Sequence, residues 1–70
     1  MANIELLVRT IYSKGWNKGN LAKALGKRAS WFSRKLKKNN FTLGEADAIA
    51  VVLGLTSEEA VAIFFSHTVA

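Results

Sequence analysis

Between Lys14 and Lys38 the chain places nine basic side chains, Lys14, Lys18, Lys23, Lys27, Arg28, Arg34, Lys35, Lys37 and Lys38, and not one acid. Like charges at this density repel one another unless an anion neutralises them, and a merely solvated helix face would mix signs at three- and four-residue spacing. Such a run is the electrostatic footprint of a surface that meets a phosphate backbone or an anionic membrane. The flanks differ. Residues 1–13 hold Glu5 and Arg9 and carry no net charge, while residues 39–70 hold Glu45, Asp47, Glu58 and Glu59 and no lysine or arginine. Together the three segments account for the formal net charge of +5.

Other chemistries find few residues to use. There is no cysteine and a single histidine, His67, so neither a thiolate metal site nor a cysteine–histidine or paired-histidine centre can be built. His67 reads as a terminal surface residue. The carboxylates fall in the first helix or near helix starts, where capping accounts for most of them, and the five glycines form no phosphate-cradling loop. We therefore expect no enzyme, no catalytic residues, no metal, no cofactor and no small-molecule ligand. The longest apolar stretch, Ala48 to Leu55, falls far short of the ~20 residues that span a bilayer, and MANIELLVRT lacks a secretory leader's basic start. A basic amphipathic membrane helix built on Trp31, Phe32 and Leu36 is disfavoured because Phe32 and Leu36 are needed inside.

The elements that must carry the basic run are helices. Half the residues are apolar and 21% charged, a globular composition, and no proline interrupts any element. Seventy residues make one domain, 1–70, whose core must be efficient because a chain this short buries only ~60% of its unfolded surface. Ile4, Leu7, Val8 and Ile11 recur at helical spacing and predict a first helix that ends at Lys14-Gly15. Asn17 caps a short second helix that turns Leu21, Ala22 and Leu25 inward before Gly26. A third helix spans about 29–37, with Phe32 and Leu36 on one face and Asn39-Asn40 at its end. Thr42-Leu-Gly-Glu45 and Thr56-Ser-Glu-Glu59 are capping boxes. The first opens a helix expected to bury Leu43, Ala46, Ile49, Ala50 and Leu53; the second opens a fifth helix reaching about Phe65. The expected fold is all-α, a compact bundle of five short helices.

The stretch from 18 to 37 has a particular layout. Ala22 is small where two steeply crossed helices would touch, Gly26 tolerates the turn's backbone, and Leu21, Leu25 and Phe32 fill the wedge. With LAKALGKRASWFSRKL, FTLGEADAIAVVLGL and TSEEAVAIFF in that order, roughly residues 4–65 resemble the five-helix, lambda-repressor-like DNA-binding domain of phage Cro and repressor proteins (XRE-like). The resemblance implies a helix-turn-helix at about 18–37, double-stranded DNA as partner, and a transcriptional regulator of a phage genetic switch, working in the cytoplasm at a bacterial host's nucleoid. On the family's pattern the base-reading positions are Ala29, Ser30, Ser33 and Arg34. Arg34 is the residue suited to grip guanine O6 and N7 in bidentate fashion, and Ala29 offers only contact with a thymine methyl. Lys18, Lys27, Arg28, Lys35, Lys37 and Lys38, with the neutral donors Asn39 and Asn40, would position the domain on phosphates without reading sequence. Trp31 admits three readings: packing over basic stems at the domain edge, contact with the sugar-phosphate backbone, or contact with a partner protein.

The last helix is apolar on every side, and contiguous exposed apolar surface usually marks an interface. Val61, Ile63, Phe64 and Phe65 are the residues expected to form one. It would serve a two-fold dimer that sets two recognition helices ~34 Å apart, or a heterocomplex with another regulator, unless His67–Ala70 folds back over it. The alternative function follows: an antirepressor, a protein-interaction module that binds a phage repressor instead of acting mainly through DNA.

Overall fold

In the computed structural model, which describes residues 2–65, five helices follow one another: α1 (Ile4–Ser13), α2 (Lys18–Ala24), α3 (Ala29–Lys38), α4 (Leu43–Leu53) and α5 (Ser57–Phe64). No strand occurs among the described residues, so the chain is a small all-α domain, as the periodicity predicts. His67 and the expected fold-back of 67–70 lie outside the described residues.

Side-chain caps fix most of the helix starts. Asn3 accepts from the Leu6 N–H at 3.1 Å. The threonine boxes form as expected: Thr42 Oγ1 accepts from the Glu45 N–H (3.1 Å) while Glu45 Oε1 accepts from the Thr42 N–H (2.8 Å). Thr56 and Glu59 repeat the exchange at 3.1 and 2.9 Å. A third box escapes the usual pattern because its N3 residue is asparagine: Asn17 and Asn20 each accept from the other's N–H at 2.8 Å. Each box satisfies two donors the helix itself cannot. Only α3 begins with no side-chain cap, at Arg28.

The α2–α3 turn depends on Gly26, whose φ of +74° lies in the left-handed region. A β-carbon there would meet no atom within 4 Å, so backbone conformation, not space, selects glycine. The Lys27 N–H then reaches back to the Ala22 carbonyl (2.9 Å) and the Gly26 N–H to that of Lys23 (2.9 Å), closing the end of α2. Ala22 is fully buried, as a close helix crossing requires.

All five helices contribute to one core: Leu7 and Ile11, Leu21 and Ala22, Phe32 and Leu36, Ala46, Ile49 and Leu53, Ile63 and Phe64. Phe41, between α3 and α4, lies 5.8 Å from Phe32 and 6.3 Å from Phe64, ring centre to ring centre, and bridges α3 to α5. Burying each of these large side chains contributes about 1.5–3 kcal/mol.

Two expectations fail here. Leu43 is 73% exposed. At 3.6 residues per turn it falls outside the Ala46–Ile49–Leu53 stripe and shares its side of α4 with Asp47 and Ala50. Ile63 (1% exposed) and Phe64 (6%) pack into the core and are not exposed at the α5 surface. The chain's start is tied to α5 here, with the Asn3 N–H donating to the Ile63 carbonyl at 2.6 Å, and Phe41 packs edge-on against Phe64. Of the four residues expected at the α5 surface, Val61 and Phe65 are there.

Candidate nucleic-acid interface

Helices α2 and α3 make the most extensive helix–helix contact in the fold. With Phe32 and Leu36 held in the core, the 3.6-residue repeat turns Ser30, Ser33, Arg34 and Lys37 to solvent along one stripe, at i, i+3, i+4 and i+7. Ala29, at the uncapped start of α3, is also exposed, as are Lys27 and Arg28 in the turn before it and Lys38 and Asn40 beyond the stripe. Lys18 sits half-buried at the first position of α2. Apart from Arg34, the stripe's side chains are short near the N-terminal end, which lets the α3 backbone approach a partner closely.

The ion pairs sort the basic run into two kinds. Lys14 meets Glu59 at 3.2 Å and Lys35 meets Glu45 at 3.0 Å. The other seven, Lys18, Lys23, Lys27, Arg28, Arg34, Lys37 and Lys38, have no carboxylate partner among the described residues. This surplus positive charge belongs to α2, α3 and the turn between them.

Two expected phosphate donors are otherwise engaged. Lys35 is only 18% exposed; besides its pair with Glu45, its Nζ donates to the Asn40 carbonyl at 3.3 Å. It braces α3 against the start of α4. Partial burial pulls the Glu45 pKa upward, but the Thr42 backbone N–H and the Lys35 ammonium outweigh it, and the carboxyl lies below its ordinary value. Asn39 ends α3 in the left-handed conformation (φ 52°). Its amide accepts from the Ala2 N–H at 2.9 Å and donates to the Ala2 carbonyl at 2.8 Å. This clamp ties the C-terminal end of α3 to the chain's start. Neither engagement has a local sequence signal, because the partners lie ten and thirty-seven positions away.

Trp31 is half-buried. Lys27 Nζ lies 5.4 Å and Lys35 Nζ 5.7 Å from its ring centre, cation–π distances, and Phe32 adjoins it at 6.3 Å. The indole thus packs with basic side chains while bordering two concavities. One, of about 300 Å³, is lined by Leu25, Lys27 and the start of α4; the other, of about 210 Å³, by Arg34, Lys35, Lys38 and Asn40. The second is basic and opens beside the exposed stripe.

No protein-family model, no curated protein and no solved structure matches the chain. The reading of this surface therefore rests on its own residues. Among the described residues no group of three or more His, Cys, Asp or Glu side chains is placed to hold a metal ion, and no helix is long and apolar enough to cross a membrane.

Proposed function

We propose that the chain is a sequence-specific DNA-binding regulator of the phage Cro/repressor kind, acting at the nucleoid of a bacterial cell, with α2 and α3 as its helix-turn-helix. The observation that carries this reading is the surplus of seven cations without a carboxylate partner among the described residues, on α2, α3 and their turn, beside an outer α3 stripe of small polar residues and one arginine. The major groove, ~12 Å wide, admits a helix whose N-terminal residues reach base edges. Arg34 reads a guanine through O6 and N7, Ser30 and Ser33 donate or accept, and Ala29 meets a thymine methyl. Lys18, Lys27, Arg28, Lys37, Lys38 and Asn40 hold phosphates, and the uncapped N-terminus of α3 adds its own partial positive charge. Trp31 stands at the edge of the contact, beside Arg34 and Lys38.

The test is selection of duplexes from a random pool by the full chain, followed by a mobility-shift assay with excess random duplex as competitor. The proposal expects a selected sequence containing guanine and a shifted band that survives the competitor. A band lost under competitor, or no enrichment at all, would reduce the surface to a non-specific basic face.

A further inference from the structure

Residues 39–65 expose a second surface of a different kind. Leu43 and Val51 are each 73% exposed on the outer side of α4, and Val61 is exposed on α5. Leu43, Ala46, Asp47 and Ala50 face Ala60 and Phe64 across an open groove of about 230 Å³. Its walls are apolar apart from one carboxylate. The four acids of this half divide as the cations do: Glu45 is held by Lys35 and Glu59 by Lys14, whereas Asp47 and Glu58 have no cationic partner among the described residues. Asp47 therefore sets an unneutralised negative charge on the wall of an apolar groove.

We infer that the α4–α5 groove is a docking site for an amphipathic helix of another protein, one that carries lysine or arginine beside a leucine-like stripe. A groove between two helices receives the side-chain ridge of a third, and helix-in-groove recognition reads apolar anchors at i, i+3, i+4 and i+7. Charge complementarity selects the basic flank. A second copy of this chain fits worse. The α4–α5 half of a second copy would bring acids and no lysine or arginine to Asp47, and like charges across an interface oppose pairing. The basic helix of a second copy offers no apolar ridge, because α3 exposes Ser30, Ser33, Arg34 and Lys37. The inference does not depend on DNA binding.

The experiment is an NMR titration of the ¹⁵N-labelled full chain with a synthetic helical peptide that carries leucines at i, i+3, i+4 and i+7 flanked by lysines. A control peptide has glutamate in place of each lysine. Saturable shifts are expected at Leu43, Asp47, Ala50 and Val61, with the α3 amides unmoved and the glutamate peptide binding several-fold more weakly. Leu43→Asp should weaken the lysine peptide about tenfold by removing a central apolar anchor, and Asp47→Lys about fivefold by reversing the charge. Both side chains are exposed, so both variants should melt like the parent chain. Absence of groove shifts at millimolar peptide, or equal binding of the two peptides, would overturn the assignment. So would self-association abolished by Leu43→Asp, which would make a second copy the occupant. Nuclear Overhauser contacts from residues 66–70 to Leu43 in the free chain would overturn it in favour of the chain's own C-terminus.

Discussion

Helices α3 and α4 have nearly the same length, ten and eleven residues, and bury one face each in the same core, yet their outer faces differ in kind. The outer face of α3 presents Ser30, Ser33, Arg34 and Lys37, with Lys38 at its edge. That of α4 presents Leu43, Asp47 and Val51, with Ala50 half-buried beside them. Folding alone requires neither pattern. Water would accept a mixed-sign surface on both helices, without the repulsion one carries or the exposed apolar area the other carries. The inner faces specify the fold; the outer faces are free to differ, and here one is basic and polar and the other largely apolar with one acid.

Phe32 supports both faces, so its removal has the largest expected effect. Phe32→Ala should cost about 3–5 kcal/mol, as much as the core of a domain this small usually supplies. Circular dichroism should show a largely unfolded chain that binds neither DNA nor peptide. A native melting curve for this variant would break the idea of one shared core.

Arg34→Ala separates the faces. It should lose about 1–3 kcal/mol on a selected duplex, with little change on random duplex and none in the melting temperature. Leu43→Asp should leave DNA affinity unchanged. If Arg34→Ala weakens both duplexes alike, Arg34 is a phosphate contact and not the sequence reader.

Smaller effects concern the joint between the two helices. Thr42→Ala removes the cap of α4 and should cost about 1 kcal/mol in thermal or denaturant melts. Glu45 there, and Glu59 at α5, have folded pKa values below the ordinary 4.5. For Glu59 the Thr56 backbone N–H is the main cause, followed by Lys14. A depressed folded pKa gives stability that is present above the unfolded value and lost as the pH falls through the folded one. The melting temperature should therefore be flat above about pH 5.5 and decline below 4.5. Lys35→Met should reduce that decline by removing one of the groups that hold Glu45 ionised.

Much of this fold is legible in the sequence because it is written locally. The periodic apolar residues of α1, the threonine boxes at 42 and 56, and Gly26 each act within a few positions, so the five helices lie within a residue or so of where the pattern puts them. What the pattern misses is set by distant partners. Lys35 reads like any other lysine of the run until Glu45 is brought to 3.0 Å. Asn39 reads as a free donor until Ala2 arrives against it. Ile63 and Phe64 read as an exposed face because α5 is apolar all round, and only distant partners, among them Phe41 against Phe64 and Asn3 at the Ile63 carbonyl, show which side is covered. Leu43 errs the other way: an apolar residue at a helix start reads as inside, though the helical repeat sets it beside Asp47.

Whether the unpaired cations of α2 and α3 meet phosphates shows in the salt dependence of duplex binding. Each neutralised phosphate contributes a slope of about −0.9 to log affinity against log salt. With about five phosphates engaged, the full chain should show a slope of about −4 or steeper on both selected and random duplex. Lys37→Ala should flatten it by about 0.9, whereas Lys14→Met, whose ammonium is already paired with Glu59, should leave it unchanged. A slope no steeper than about −1 would mean that the basic run does not engage a phosphate backbone, and the account of α3 as a recognition helix would fall with it.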